Sequence, residues 1–251
     1  MKLSLIGAGN LGKQLYRVLQ HAPKVELIQW MDRSSNETST PEGIQLIHHL
    51  SAIAEVDCYL LAVSDDSIES LSELLPKQAL VIHTAGGRPL AQIKKQERKG
   101  VFYPIQSFSS SRTIDFSKIS IGIEASKSSD QAFLFNLAHE LKANPIYLDS
   151  RKRLALHLAA VFTNNFTNHL LLHAEEICRS YDLSFDLLKP LLRETIDKLE
   201  ELAPKKAQTG PAIRNDITTL NSHRKLLENQ DLLSLYNQIT NSIQKNSKNE
   251  L

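Results

Sequence analysis

The run Gly7-Ala8-Gly9-Asn10-Leu11-Gly12 constrains this chain more than any other feature. It follows a short apolar strand, Lys2 to Ile6, and opens a helical pattern that continues from Leu11 to Gln20. Each glycine has its own task at this spacing. Gly7 permits a tight turn, Gly9 removes the Cβ that would keep a ligand off the backbone, and Gly12 lets the helix lie close to the strand. A strand that turns at once into a helix must cross over before it can pair again, which calls for a parallel sheet.

The pattern up to residue 150 agrees. Apolar runs at Val25–Trp30, Ile44–His48, Val56–Val63, Ala79–His83, Val101–Ile105, Ile119–Ile123 and Ile146–Leu148 read as strands. Helical stretches near Ile68–Leu75, from Pro89 and from Asp130 to Leu141 alternate with them. After Ser150 the texture changes. Arg151–Tyr181 reads as one long helix without Gly or Pro, and Phe185–Leu202 as a second. Pro204–Pro211 reads as a break, Asn215–Glu228 and Leu232–Lys245 as two further helices, and the tail beyond Lys245 as frayed. The expected architecture is α/β: a doubly wound, mostly parallel Rossmann sheet over residues 1–150, then an all-helical domain over residues 151–251.

Composition removes several functional classes. A formal net charge of +1 offers no field for nucleic acid. The densest basic cluster, Lys94, Lys95, Arg98 and Lys99, reads as a solvated helix face. Cys58 and Cys178 form no CxxC and no disulfide framework, so both read as buried free thiols. Met1 leads directly into a strand, with no signal-peptide pattern, and no apolar run is long enough for a bilayer. A cytoplasmic protein without membrane or nucleic-acid partners is expected.

Once strand and helix flank them, the glycines read as a dinucleotide fingerprint, with Gly7, Gly9, Asn10, Leu11 and Gly12 around a pyrophosphate at the helix N-terminus. Asp32 lies twenty residues past Gly12, where an acidic side chain would take the ribose 2′-OH of NAD. Arg33 and Ser34 follow immediately, and a guanidinium beside a hydroxyl suits the 2′-phosphate of NADP. The expectation is NADP, with NAD as the alternative. Val63 and Ser64 end the central strand, and His83 and Thr84 end the next, so all four are candidate cofactor contacts. Ordinary turn chemistry accounts for Gly86-Gly87 equally well.

Four stretches carry a wider resemblance: Gly7–Gly12, Tyr103–Phe108, Leu156–Phe166 and Gln208–Asp216. On these the chain resembles the Rossmann-like DUF2520 proteins, which are labelled NADP oxidoreductase, coenzyme F420-dependent, and are related to pyrroline-5-carboxylate reductase. The resemblance implies an NADP-binding domain and a helical dimerisation domain. The related β-hydroxyacid dehydrogenases place a catalytic lysine three residues before an Asn-Asn pair. Here the pair is Asn164-Asn165 and that position is Val161, which cannot donate a proton.

At 100° per residue His157, Val161, Asn164 and Asn168 share a stripe on the long helix, with Asn165 at its edge and His169 one turn beyond. Such a stripe suits a cleft between the domains, with His157 as its acid or base. It suits solvent or a hydrogen-bonded core as well. Gln106 and Ser107 would complete the pocket, and Thr209, Arg214 and Asp216 would enter it, Arg214 holding an anionic group. Asp216 also fits a plain helix N-cap. No metal site is expected: His169 and His173, four apart, read as a core or interface pair. The candidate catalytic set is therefore His157, Asn165, Gln106, Arg214 and Asp216. The reading is an NADP-dependent oxidoreductase of a small metabolite, homodimeric through its helical half. The alternative is a non-catalytic NADP(H)-binding sensor or scaffold.

Overall fold

Strand periodicity divides the apolar residues of the N-terminal half between two faces. Leu3, Leu5, Leu60, Ile82 and Phe102 enter one core, while Ile6, Tyr59, Leu61 and Val81 enter another. Both faces of the sheet are therefore covered, as a parallel sheet requires. In the computed structural model, which describes residues 1–109 and 111–248, the strands are β1 (Lys2–Ile6), β2 (Glu26–Met31), β3 (Gln45–Ile47), β4 (Cys58–Leu61), β5 (Leu80–His83), β6 (Lys99–Pro104), β7 (Ser120–Ala125) and β8 (Asn144–Tyr147). The helices among them are α1 (Asn10–Leu19), α2 (Ile68–Glu73), α3 (Ser128–Glu140) and α4 (Ser150–Ala160).

The sheet runs β3-β2-β1-β4-β5-β6-β7-β8. All neighbours are parallel except β6 with β7. The first six strands follow the doubly wound dinucleotide order, which reverses between β1 and β4. The expected Rossmann sheet and helical C-terminal region are both present.

The chain forms two compact units, Met1–Phe166 and Thr167–Leu251. The change of texture at residue 150 marks the start of α4, yet α4 and the π-helical turn after it, Val161–Phe166, belong to the first unit. The second unit holds α5 (Thr167–Ser180), α6 (Lys189–Glu201), α7 (Pro204–Ala207), α8 (Ile217–Leu226) and α9 (Gln230–Lys248). The single regular helix expected over Arg151–Tyr181 is thus interrupted by a π turn, and the expected break at Pro204 carries α7. Helix α9 continues past Lys245 to Lys248, so the expected fraying is absent there; residues 249–251 lie outside the described residues.

The basic cluster is no helix face. Lys99 opens β6, and each cation has its own partner. Lys94 pairs with Glu69, Lys95 donates to the Glu73 and Leu75 carbonyls, and Lys99 to that of Ile93. Arg98 donates twice to one oxygen of the fully buried Asp130. Cys58 and Cys178 are free and buried, and burial pushes the Cys58 thiol far up. Among the described residues no helix is long and apolar enough to cross a membrane.

His83, at the end of β5, has no exposed surface. Its Nδ1 accepts the Ala85 N–H at 3.2 Å, so the ring proton resides on Nε2 and donates to the Pro89 carbonyl at 3.3 Å. Burial, and then the charge of Arg153, lower its pKa from 6.5 to about 4. Between these values the unfolded chain binds a proton that the folded one refuses, so stability falls as pH falls. Acidification from pH 6.5 to 4 should remove on the order of 3 kcal/mol through this residue. Urea unfolding at a series of pH values should show that slope, and His83→Asn should flatten it. An unchanged slope in the variant would assign the effect elsewhere.

Candidate functional site

The carboxyl ends of β1, β2, β4 and β5 surround a cleft of about 440 Å³ at the point where strand order reverses. Gly7, Gly9, Asn10, Leu11, Asp32, Arg33, Ser34, Val63, Ser64 and Thr84 line it. Gly12 lies just beneath, buried in α1. His83 is not among the lining residues, because its ring is turned into the core.

The three glycines differ in what demands them. Gly7 has φ +113°, and a Cβ there would lie 2.2 Å from the Ala62 carbonyl oxygen. A Cβ on Gly12 would lie 2.2 Å from the Gly7 carbonyl oxygen. Both are required by the protein's own packing. Gly9 has an ordinary φ of −68°, and a Cβ there would meet nothing within 4 Å. The chain's own packing therefore does not demand glycine at this position. The first turn of α1 has neither a capping side chain nor an acidic residue, so its N–H groups and positive dipole end face the cleft uncompensated. Trp30 supports the turn from behind: its Nε1–H donates to the Gly7 carbonyl at 2.9 Å, and its ring stacks on Tyr16 at 4.3 Å.

At the mouth, Asp32 folds onto its own loop. Its Oδ1 accepts from Ser34 N at 2.8 Å and from Ser34 Oγ at 2.6 Å. Arg33, beside it, is exposed and enters no ion pair among the described residues.

A second pocket of about 500 Å³ lies between the end of β6 and α4 with its π turn. Gln106, Ser107, His157, Val161, Asn164 and Asn165 line it together with Tyr103. Regular helical geometry predicts Asn165 at the edge of the stripe and Asn168 within it. The wider π turn brings in Asn165, while Asn168 and His169 are not in the lining. Tyr103 Oη lies 3.3 Å from His157 Nδ1, with the rings edge to face. Burial raises the Tyr103 pKa, with Arg153 pulling the other way. Both rings press on Gly86, where a Cβ would lie 2.7 Å from the tyrosine and 2.8 Å from His157 Nδ1. Tyr103 and His157 thus fill the space that a side chain at Gly86 would occupy.

Arg153, one turn before His157, has no exposed surface. It pairs with Glu124 of β7 and donates to the Arg88 carbonyl at 2.7 Å. Ser150 donates to the same carboxylate at 2.8 Å and accepts the Leu90 N–H at 3.0 Å. Sequence reasoning missed Tyr103, Glu124 and Arg153. The legible signal was an arginine four residues before His157, on the same helix face.

Arg214 and Asp216 lie in the second unit. Asp216 is the N-cap of α8: Oδ1 accepts the Thr219 N–H at 3.0 Å, and Thr219 Oγ1 donates to Oδ2 at 2.7 Å. Those bonds from Thr219 hold its pKa below the ordinary carboxylate value. Arg214 is exposed. Also in this unit, His169 and His173 approach Nε2 to Nε2 at 3.1 Å. Among the described residues no group of three His, Cys, Asp or Glu is arranged to hold a metal ion.

The model of a domain of unknown function, DUF2520, matches residues 119–243. A Bacteroides fragilis protein described as a "putative NADP oxidoreductase" is 35% identical, with 97% of this chain and 98% of that one aligned at a TM-score of 0.85. The chain belongs to the Rossmann-like DUF2520 family. The DUF2520 match begins just before β7, so it takes in Glu124, Arg153, His157 and Asn164-Asn165 but not the glycine turn. More distant structures share the fold. A reductive aminase of Aspergillus terreus, in complex with NADPH and ethyl-5-oxohexanoate, is 16% identical over 97% of this chain and 94% of that one, with a TM-score of 0.69. A pyrroline carboxylate reductase of Plasmodium falciparum, with NADP bound, is 13% identical over 98% of each chain, with a TM-score of 0.58. No curated protein matches the chain.

The glycines give a contrast that any DUF2520 protein with this turn can be asked to obey. Gly12→Ala should cost about 1–3 kcal/mol in denaturant unfolding, because backbone must move. Gly9→Ala should stay within about 0.5 kcal/mol of wild type, yet lose at least tenfold in dinucleotide affinity. Equal affinity in Gly9→Ala and wild type would show that nothing approaches the backbone there.

Proposed function

We propose that this DUF2520 protein is an NADP-dependent oxidoreductase of a small carbonyl or imine compound. The observation that carries the reading is the meeting of two sites at the carboxyl end of β5. Thr84 lines the dinucleotide cleft, and within three residues Gly86 and Gly87 lie against His157. The relative that is 35% identical supports NADP by its description.

The residues present fit that cofactor. The uncapped first turn of α1 and the open space at Gly9 would take the pyrophosphate. With the Asp32 carboxylate occupied by Ser34, the exposed Arg33 is left to pair with a 2′-phosphate. Hydride is what NADPH supplies when bound. The chain's own part is to orient the substrate and deliver one proton. Tyr103 Oη lies 3.3 Å from His157 Nδ1, and on this reading the hydroxyl is the donor. That fixes the histidine proton on Nε2, beside Gly87 and facing the end of β5. His157 Nε2–H would then give its proton to the oxygen or nitrogen being reduced as Nδ1 takes the Tyr103 hydroxyl proton. That keeps the imidazole neutral, and water reprotonates the tyrosinate. Arg153 and Glu124 are positioning residues, since they hold the turn of α4 from which His157 projects.

One observation favours the non-catalytic alternative, a sensor or scaffold. Val161 lines the pocket where a lysine would serve the related dehydrogenases. An imine needs less acid assistance than a ketone, so the oxidoreductase reading accommodates it.

The second unit supports a homodimer. Leu183, Leu187, Leu191 and Ile196 are each more than half exposed, an apolar load that an isolated helical unit rarely shows to water. Light scattering at micromolar concentration should give twice the chain mass. The chain mass itself would remove this part of the reading.

The function is tested by titration with NADPH and NADH, followed through Trp30, whose indole touches the glycine turn. NADPH should bind at least tenfold more tightly than NADH, and Arg33→Ala should erase the difference. His157→Ala should keep NADPH affinity and lose NADPH-dependent reduction across a panel of ketones and imines. Binding without turnover in wild type would move the assignment to the sensor. Absence of NADPH binding would end both readings.

A further inference from the structure

A further chamber of about 420 Å³ adjoins the His157 pocket, with Gln106, Ser107 and Asn164 in the lining of both. Their linings differ in charge. The inner chamber has no formal charge apart from what His157 carries, whereas Arg112, Asp115 and Lys118 line the outer one.

Asp115 offsets one of the two cations, which leaves the outer chamber with an excess of one positive charge. The Asp115 Oδ1 is committed to its own turn, accepting from Ser117 N at 3.0 Å and Ser117 Oγ at 2.7 Å. Those bonds, helped by Lys118 and Lys142, hold its pKa below the ordinary carboxylate value. Among the described residues neither Arg112 nor Lys118 enters an ion pair. The Arg112 backbone is also anchored. Gln14, buried on α1, donates through Nε2 to the Ser109 carbonyl at 3.1 Å and to that of Arg112 at 2.5 Å. The segment bearing the arginine is therefore tied to the helix whose N-terminus faces the dinucleotide cleft.

We propose that the outer chamber is the anion subsite of the substrate. The two chambers together take a small carbonyl or imine compound whose reacting centre lies against His157 and whose carboxylate or phosphate lies between Arg112 and Lys118. This rests on the oxidoreductase reading for the reaction, though not for the binding of the anion. Arg112 supplies a planar fork suited to either oxyanion, and Lys118 a mobile point charge. A neutral analogue would leave both cations in water and gain nothing from the chamber.

Three matched methyl ketones test this by calorimetry, with and without saturating NADPH: 4-oxopentanoate, 3-oxobutylphosphonate and methyl 4-oxopentanoate. At least one anion should bind ten times more tightly than the ester, and the tighter of the two names the group. Added salt should weaken the anions alone. The Arg112→Ala/Lys118→Ala variant should bring all three to the ester's affinity while keeping wild-type NADPH affinity and thermal midpoint. Equal binding of acid and ester, a preference that survives in the variant, or no binding by any of the three would overturn the proposal. If NADPH fails to bind wild type, the oxidoreductase reading falls, while the titrations without cofactor still decide the subsite.

Discussion

A guanidinium with no exposed surface holds the first unit's functional parts in register. Burying an arginine and a carboxylate costs several kcal/mol per ion unless each finds partners, and Arg153 finds them on three segments. Glu124 comes from β7, the Arg88 carbonyl from the loop after β5, and Ser150 from the first turn of its own helix. Loss of Glu124 would strand a buried charge. These segments are therefore fixed together, and His157, four residues on, has its place above Gly86 because of it. The same charge lowers the pKa of His83 and opposes the burial-driven rise at Tyr103. One charge thus acts on both His83 and Tyr103.

What was legible in the sequence was what repeats with a period or turns on a glycine. The alternation of strands and helices marked the sheet, and Gly7, Gly9 and Gly12 marked the cleft at its switch point. The residues placed around that cleft from spacing alone do line it, apart from Gly12 beneath it and His83. Strand position could not show that the His83 ring faces inward, because that depends on the Ala85 N–H and the Pro89 carbonyl waiting there. Nor could a uniform 100° per residue foresee the π turn, which gains a residue at Val161–Phe166 and rotates Asn165 into the pocket. Tyr103 escaped notice because a tyrosine in an apolar strand looks like core until the histidine beside it is seen.

The glycines also separate what the chain needs from what its ligand needs. Steric demand inside the protein accounts for Gly7, Gly12 and Gly86, since each would drive a Cβ into a neighbour at 2.2 to 2.7 Å. It does not account for Gly9. A residue that fold stability leaves unconstrained, at the uncapped end of a helix, has the properties expected where a pyrophosphate touches backbone.

Val161 can be understood in the same way, from what its absence of charge permits. A lysine at that position would set a fixed cation beside the reacting centre, which helps a neutral carbonyl and repels an iminium. With valine there, the inner chamber tolerates a substrate that brings its own positive charge. The outer chamber, with Arg112 and Lys118, tolerates the opposite sign. A compound carrying both would be oriented by two opposed preferences, its anion drawn outward to Arg112 and Lys118 and its cationic centre left in the inner chamber beside Val161. Under the proposed function, orientation of that kind would need no cation at the site of reduction, and Val161 would help to determine which substrates enter.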